Sequence, residues 1–275
     1  MIMDGVHTRR TTCRGCGGLE LRSFLSLGPM PLANAFLRST TEFADEPFFP
    51  LDVYFCETCS LVQLLDVIDP EALFRNYIYV SGTSDTMKKH NREYARTIVE
   101  RLDLGHDALV VEVASNDGSL LNCFQSYGVR TLGIEPAVNI AEKASARGVE
   151  TLTDFFDAST ARRVRADRGQ ARVVIANNVL AHVDETRDFL TGCRELVQPG
   201  GLVVMEVPYL RDLVDNLEYD TIYHEHLCYF SVNALLRLCE ETGIAVVQVE
   251  YVPVYGGSVR MYASPENGRR KHSEN

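Results

Sequence analysis

The sequence predicts an α/β protein in which a mostly parallel sheet ends in an antiparallel hairpin and follows a small metal-stabilised module. Three observations support this prediction. Two C-x-x-C pairs stand in a turn-rich N-terminal stretch. From residue 108 onward, short apolar runs alternate with amphipathic stretches, which is typical of strands that alternate with helices. Near the end, two strand-like runs are joined through Gly256-Gly257, which favours a hairpin.

The N-terminal stretch is predicted to fold around a metal. Residues 1–12 carry no apolar pattern and are predicted to be disordered, whereas residues 13–65 are rich in glycine and proline, with a strand-like alternation over 51–55. Four cysteines supply the sulfur set of a closed, structural Zn²⁺ site: Cys13, Cys16, Cys56 and Cys59. The alternative is that the four cysteines are unrelated. It is less favoured, because two C-x-x-C pairs seldom arise by chance in a protein from a compartment where disulfides are rare.

The remaining elements follow from periodicity. A helix is predicted over 84–104, where Ser84 or Asp85 can cap it. The predicted strands are Leu109–Ala114, Thr131–Ile134, Arg172–Ala176, Leu202–Val207, Ile244–Tyr251 and Ser258–Ala263, and the amphipathic stretches include Ile140–Ala146 and Thr186–Val197. This order is typical of the Rossmann-like class I methyltransferase architecture, with a small zinc-binding module in front. The predicted division is a zinc module with a substrate-contacting linker over 1–80, a methyltransferase domain over 81–263 and a polar tail over 264–275.

Composition and charge exclude some function classes. The formal net charge of −11 disfavours a nucleic-acid partner, because such binding depends on lysines and arginines that neutralise phosphates. The sequence has neither a run of 18 apolar residues nor a secretory signal, so we expect no membrane association and a cytoplasmic location. We expect a monomer.

A cofactor site is predicted where strands end. The stretch from Val110 to Ser119 reads as a strand, a tight loop and a helix start, and Glu135 ends the next strand about 20 residues later, where an acid can bind ribose hydroxyls. The absence of G-x-G-x-x-G favours an adenosyl ligand without pyrophosphate. The candidates are Glu112, Ala114, Asn116, Gly118, Glu135, Asn177 and Asn178. For Glu135 alone, a solvated acid at a strand end is the alternative.

A second cluster follows the fourth predicted strand, where Tyr223 to His226 are four consecutive titratable residues. A histidine here can act as a base beside a carboxylate. The segment could instead hold a metal through His224 and His226, or form a polar lid. In an extended segment these two histidines would point to the same side. His182 is expected to face the same crevice or the surface, and Tyr77 to close over the site or pack between domains.

With these residues in view, the chain resembles the zinc-containing sugar C-methyltransferases of deoxysugar biosynthesis in antibiotic-producing bacteria. The matching stretches are Cys13–Cys16, Pro31–Asn34, Cys56–Cys59 with Leu61–Gln63, Val111–Leu121, Gly133–Pro136, Asn177–His182, Tyr223–Phe230, and Gly256–Ser258 with Arg260. One departure is Tyr255, where the family usually carries histidine.

The resemblance implies S-adenosylmethionine as methyl donor and a dTDP-4-keto-6-deoxysugar as substrate. His226 would remove a proton from the carbon beside the ketone, either carbon 3 or carbon 5, and Glu225 would tune or orient it. Tyr223, Tyr77 and His182 would position the sugar or stabilise the enolate oxygen. The family's enzymes carry a further domain after the hairpin, so a truncated, non-catalytic remnant that binds only zinc and cofactor is a second hypothesis. A zinc-finger RNA methyltransferase is a third, disfavoured by the acidic charge.

Overall fold

The computed structural model describes residues 5–265, and its strands and helices follow the predicted alternation. The strands are β1 His7–Arg9, β2 Leu21–Met30, β3 Phe49–Cys56, β4 Val62–Leu64, β5 Asp66–Ile68, β6 Leu109–Val113, β7 Arg130–Ile134, β8 Thr151–Leu152, β9 Ala171–Asn177, β10 Val197–Pro208, β11 Cys228–Tyr229, β12 Ala245–Val252 and β13 Ser258–Ser264. The α-helices are α1 Pro70–Phe74, α2 Asp85–Leu102, α3 Ser119–Gln125, α4 Val138–Ala146, α5 Ala158–Arg168, α6 Thr186–Leu196, α7 Leu210–Asp215 and α8 Val232–Glu241.

The large sheet has the strand order β12-β13-β10-β9-β6-β7-β8. All of its pairings from β10 to β8 are parallel, and β13 pairs antiparallel with both of its neighbours. The predicted parallel sheet with a terminal hairpin is thereby confirmed, with β13 inserted between β10 and β12. Strand β8 escaped sequence analysis because two residues form no apolar run.

Apolar layers cover both faces of this sheet. One face packs against α2 and α3 through buried residues such as Tyr94, Ile98 and Phe124. The other face packs against α5, α6 and α8, and its buried cluster also includes three of the four paired cysteines. The N-terminal part is therefore attached to the core of the large sheet. Helix α2 begins as predicted, since the Ser84 side chain accepts a hydrogen bond from the backbone N–H of Met87 at 3.2 Å.

The N-terminal part builds a second sheet in the order β11-β4-β3-β2. Its edge strand β11 comes from residues 228–229, directly after the cluster of titratable residues. The prediction of disorder for residues 1–12 is wrong at β1, which pairs with β5. Two of its side chains explain this, because His7 and Arg9 bind the buried Asp66 carboxylate at 2.9 and 2.6 Å.

The C-terminal tail predicted over 264–275 starts one residue too early, because Ser264 belongs to β13. Residues 266–275 lie outside the described residues. Within the described chain, 5–265, no helix is both long and apolar enough to cross a membrane.

Candidate functional site

The four paired cysteines converge on one point. Their Sγ atoms all lie within 4.8 Å of one another, with 3.5 Å between Cys13 and Cys59 and 3.6 Å between Cys16 and Cys56. Four sulfurs at about 2.3 Å from a tetrahedral zinc ion are roughly 3.8 Å apart, so the set fits Zn²⁺. No other cluster of three or more metal-ligating side chains occurs within residues 5–265.

Each pair sits in a tight turn of the same design. In the first, the Gly17 N–H donates to the Cys13 carbonyl, and in the second the Ser60 N–H donates to the Cys56 carbonyl, both at 2.8 Å. The Gln63 amide donates to the Cys13 sulfur at 3.0 Å, which favours a thiolate. Hydrogen bonding from the Cys59 thiol, the largest effect, lowers the pKa of Cys13 to about 4. With four protein ligands the site keeps no open position, so its role is structural.

A cavity of about 1160 Å³ opens at the carboxyl ends of the parallel strands. Its wall contains these residues predicted for cofactor or catalysis: Tyr77, Glu112, Ala114, Asn116, Glu135, Asn177, Asn178, His182, Tyr223, Glu225 and His226. These predicted cofactor residues and predicted catalytic residues therefore line the same cavity. We call the part lined by residues 112–116, 134–136 and 177–178 the strand-end half, and the part lined by Asn34, Tyr77, His182 and residues 223–226 the histidine half.

Gly118 is absent from this wall. It begins α3 with a left-handed backbone at φ +70°, and a Cβ there would lie 3.0 Å from the Val149 side chain. Glycine is therefore required for the turn and for close packing. Gly118 supports the loop from behind, and its prediction as a cofactor contact does not fit this position.

The strand-end half is held by Glu135. Its buried carboxylate accepts backbone hydrogen bonds from Asn116 at 2.8 Å and Ala137 at 2.9 Å. Burial raises its pKa, and the two N–H donors oppose that rise. The carboxylate thus fixes the loop after β6, whose residues Ala114 and Asn116 adopt left-handed backbones. Such backbones in non-glycine residues are strained and often mark functional sites.

Three buried oxygens in this half have no partner in the structure: Oε2 of Glu112, Oγ of Ser115 and Oδ1 of Asn178. Burial, reinforced by the nearby carboxylates of Asp117 and Glu135, raises the pKa of Glu112 well above its usual range. Buried polar atoms are nearly always satisfied, so a polar or cationic ligand group is expected beside them. An adenosyl sulfonium with its ammonium group meets that need.

Residues 77–81 cross the cavity as a segment that two asparagines hold. The Asn139 side chain accepts from the Tyr77 N–H at 3.1 Å and donates to the Tyr77 carbonyl at 2.8 Å. The Asn116 side chain accepts from the Ser81 N–H at 2.9 Å and donates to the Tyr79 carbonyl at 3.1 Å. We call residues 77–81 the strap. At its middle, the Tyr79 and Tyr255 hydroxyls lie 3.0 Å apart.

His226 is the centre of the histidine half. Its Nδ1 lies 2.8 Å from the Thr221 carbonyl, which only accepts hydrogen bonds, so Nδ1 carries the proton. Nε2 then presents a lone pair, to which the Tyr223 hydroxyl donates at 3.0 Å. Burial lowers the pKa of His226, so the imidazole is neutral at pH 7. A neutral imidazole with one unprotonated nitrogen is suited to accept a proton once the Tyr223 hydroxyl turns away.

The expectation that His224 and His226 point to the same side is wrong. The His226 N–H donates to the Tyr223 carbonyl at 2.9 Å, so the segment is a turn and its side chains do not alternate. Nε2 of His224 instead lies 3.2 Å from the carbonyls of Phe49 and Pro50, in the N-terminal sheet. The alternative that these two histidines hold a metal together has no support in this geometry.

Glu225 does not bind the His226 imidazole. One carboxylate oxygen accepts from the Asn34 amide at 2.6 Å and the other from the Tyr77 hydroxyl at 3.0 Å. Burial raises the pKa of Glu225, while these two donors oppose the rise. Asn34 was not predicted as a site residue, although it ends the Pro31–Asn34 stretch that carries the family resemblance. Its contact spans 191 residues of sequence, which no local pattern reveals.

His182 lies beside His226, with ring centroids 4.9 Å apart. Burial, with a smaller contribution from His226, lowers the pKa of His182 to about 3, so it too is neutral. Its Nδ1 is buried without a partner. Two neutral imidazoles, two tyrosine hydroxyls and a carboxylate therefore face one cavity beside the strand ends.

A buried ion pair at the back of the cavity was also missed. Arg260 donates to one Glu206 oxygen from two nitrogens, at 2.9 and 2.8 Å, and its guanidinium stacks on Tyr94 at 4.0 Å. The Tyr94 hydroxyl donates to the Asn177 side-chain oxygen at 3.2 Å, which fixes a predicted cofactor residue. Tyr94 is a buried core residue of α2, and its hydroxyl has this second role.

Comparisons with known proteins agree with this description. The model described as a zinc binding domain matches residues 13–74, and the model described as a methyltransferase domain matches residues 87–249. A crystal structure of an S-adenosylmethionine-dependent methyltransferase from Clostridium acetobutylicum superposes with a TM-score of 0.52 at 10% identity, covering 64% of this chain and 91% of that one. This likeness shows the fold.

Two curated relatives are similar in sequence. The C-methyltransferase NovU of Streptomyces niveus is 39% identical over 253 residues, which are 92% of this chain and 60% of the relative. The chain therefore spans less than two thirds of that relative's length. A ubiquinone biosynthesis O-methyltransferase of Rhodopseudomonas palustris is 30% identical over 98 residues, 35% of this chain and 38% of the relative.

Proposed function

Since the chain belongs to the methyltransferase-domain family and carries a zinc binding domain in front of it, we propose that it transfers a methyl group from S-adenosylmethionine to a carbon atom beside a ketone. The substrate class is a dTDP-4-keto-6-deoxysugar, as the family resemblance implies. The observation that carries the proposal is the neutral His226 imidazole, whose unprotonated Nε2 accepts from the Tyr223 hydroxyl in the cavity wall that the strand ends also form.

The strand-end half would hold the methyl donor, which supplies an electrophilic methyl group on a sulfonium. Glu135 would bind the ribose hydroxyls with the lone pairs that its two backbone contacts leave free. The unpartnered oxygens of Glu112 and Asn178 would receive the polar and cationic groups of the donor. The Cys13, Cys16, Cys56 and Cys59 sulfurs would hold Zn²⁺, which takes no part in the reaction.

His226 performs the first chemical step. Nε2 takes the proton from the carbon beside the ketone, and the C–H electron pair moves into an enolate. S-adenosylmethionine, when bound, would supply its methyl group to the enolate carbon, and the electrons of the methyl–sulfur bond would stay on sulfur. For the proton transfer the Tyr223 hydroxyl turns from Nε2 to the ketone oxygen, which frees the Nε2 lone pair for the proton and lets the hydroxyl donate to the enolate oxygen. Tyr77 and His182 line the same half and would position the sugar.

Solvent exchange tests this step without the methyl donor. The protein is incubated with a panel of dTDP-4-ketosugars in deuterated water, and NMR follows deuterium uptake at carbons 3 and 5. We expect uptake with the parent and none with His226→Asn. The matched control is His224→Asn, whose imidazole contacts the Phe49 and Pro50 carbonyls and should retain exchange. The exchanging carbon identifies the position that receives the methyl group.

Two outcomes would contradict the proposal. If His226→Asn exchanges as fast as the parent while His224→Asn or Glu225→Gln does not, the base is misassigned. If the parent neither exchanges nor binds any sugar nucleotide, yet binds S-adenosylmethionine, the carbon-acid substrate class is wrong.

A further inference from the structure

Arg14 is a charged residue in the interior of the protein, between the cysteines of the first pair. Its side chain has no exposed surface. Burying a guanidinium costs free energy unless charges and hydrogen bonds compensate it. Each contact of this side chain is therefore expected to matter for stability.

The Arg14 guanidinium joins three separate parts of the chain. Its NH1 donates to the carbonyls of Leu64 at 2.6 Å and Leu227 at 2.8 Å. On the other side, Nε and NH2 face one oxygen of the Asp184 carboxylate at 3.3 and 3.2 Å. The planar fork of arginine allows this two-sided contact, which a lysine ammonium cannot reproduce.

Two of these contacts lie next to the histidines of the cavity. Leu227 directly follows His226, and Asp184 stands two residues after His182. Those histidines are 44 residues apart in sequence, counting from 182 to 226, yet their rings lie 4.9 Å apart. The Arg14 fork therefore spans the two segments whose spacing sets the distance between the imidazoles.

The backbone of Arg14 is fixed as well. Its N–H donates to the Gln63 side-chain oxygen at 3.1 Å, and the same Gln63 side chain donates to the Cys13 sulfur. The Arg14 carbonyl accepts from the Thr186 hydroxyl at 3.2 Å. The guanidinium is thus anchored at one end by the cysteine turn and holds the histidine segments at the other.

We infer that Arg14 is a positioning residue through which the cysteine site fixes the geometry of His182 and His226. The turn that carries Cys13 and Cys16 then has a second role beside holding metal ligands, because it also sets the spacing of the His182 and His226 imidazoles. The role in catalysis rests on the proposed function, whereas the role in geometry does not.

Arg14→Met tests this inference, because methionine has similar length and no donor. The control is Arg10→Met: Arg10 pairs with the other Asp184 oxygen at 2.9 Å and with Glu185 at 2.7 Å, but its side chain does not bridge to the Leu64 or Leu227 carbonyls. The first readout is NMR of protein labelled with ¹⁵N-histidine, with His182 and His226 assigned by their asparagine variants. The second is zinc content and S-adenosylmethionine affinity.

We expect Arg14→Met to shift the His182 and His226 resonances, while Arg10→Met leaves them in place. Zinc should stay near one equivalent and cofactor affinity within about threefold, because the strand-end half has no contact with Arg14. Sugar deuterium exchange should fall roughly tenfold or more, since misplacement by about 1 Å costs up to about a hundredfold. Arg14→Lys should restore only part of it.

Unchanged histidine resonances in folded Arg14→Met would overturn the inference, whatever the sugar result. A loss of exchange that merely matches a loss of cofactor-binding protein would also overturn it, because that indicates unfolding. If Arg14→Met does not fold, Asp184→Asn provides the same test, since it weakens the fork and keeps both carbonyl contacts. Shifted resonances with no exchange in the parent would uphold the geometric inference and reject the proposed function.

Discussion

The two halves of the cavity are built in different ways. In the strand-end half, Glu112, Asn116 and Glu135 lie within 24 residues of one another, and the Glu135 carboxylate accepts hydrogen bonds from the nearby backbone of Asn116 and Ala137. In the histidine half, Glu225 is held by Asn34 and Tyr77, which are 191 and 148 residues away. The first half is a property of the parallel sheet, whereas the second exists only when the cysteine-containing part packs against it.

This difference implies that the halves can be damaged separately. Disturbing the cysteine site should disable the histidine half and spare most of the cofactor affinity. Disturbing the strand ends should do the reverse. Each prediction below tests that separation.

The largest effect is expected from the metal site. The parent should contain one zinc per chain, and Cys59→Ser should contain less than about half an equivalent. Structural zinc contributes on the order of 10–16 kcal/mol to the folding of small zinc domains. Metal analysis measures the content, and thermal unfolding the stability.

The control for this variant is Cys123→Ser, which changes a thiol outside the cysteine cluster. We expect S-adenosylmethionine affinity to fall less than about tenfold in Cys59→Ser. Full zinc occupancy in Cys59→Ser, or a folded parent without zinc, would contradict the metal assignment. A complete loss of cofactor affinity would show that the two halves are not separable.

The second prediction concerns the strand-end half. Glu135→Ala should weaken S-adenosylmethionine binding about tenfold to a hundredfold, since losing a hydrogen bond to a charged group costs roughly 1.5–3 kcal/mol. Zinc content should not change. Calorimetry measures the affinity, with Glu150→Ala as control because that acid is exposed and pairs with Arg168. Unchanged affinity would place the ribose site elsewhere.

The difference between the locally built strand-end half and the histidine half, which depends on long-range contacts, explains which features the sequence could predict. Strand ends of a parallel sheet meet at one edge, so Glu112, Glu135 and Asn177 were placed together from sequence alone. Gly118 lies outside the cavity wall, which sequence could not reveal because a glycine in such a loop suits both ligand approach and packing. The divergence of His224 and His226 depends on a turn that tertiary contacts with Phe49 and Pro50 support. Asn34 and Arg14 contact residues 191 and 213 positions away in sequence. Hydrophobic periodicity predicts local elements and cannot predict such contacts.

The third prediction is a pH dependence that arises in the histidine half. Burial lowers the pKa of His182 from about 6.5 to about 3, so below pH 6.5 the unfolded chain binds a proton that the folded chain does not. Stability from this group is complete above pH 6.5 and decreases as the pH falls towards 3. His182→Asn should therefore lose less stability between pH 7.5 and 5 than the parent, by roughly 1–2 kcal/mol.

Urea unfolding at both pH values measures this difference, and comparing variant with parent cancels the titration of the carboxylates. His106→Asn is the control, because His106 is exposed. An equal acid loss in His182→Asn and the parent would show that His182 titrates normally, and would contradict the conclusion that burial lowers its pKa.

The smallest effect is expected at the strap, where the two halves meet. Tyr79→Phe removes the hydroxyl that lies 3.0 Å from the Tyr255 hydroxyl and leaves the backbone contacts of Asn116 intact. Both tyrosines are more than 40% exposed, at 44% and 42%, so water competes for this hydrogen bond and its net contribution lies at the low end of about 0.5–1.5 kcal/mol. We expect S-adenosylmethionine to dissociate about two- to threefold faster, measured by stopped-flow fluorescence. Tyr219→Phe, which removes the hydroxyl of a ring that is 69% exposed, should not change the rate. If Tyr79→Phe weakened binding as much as Glu135→Ala, the strap would be part of the cofactor site itself and the division into two halves would fail at residue 79.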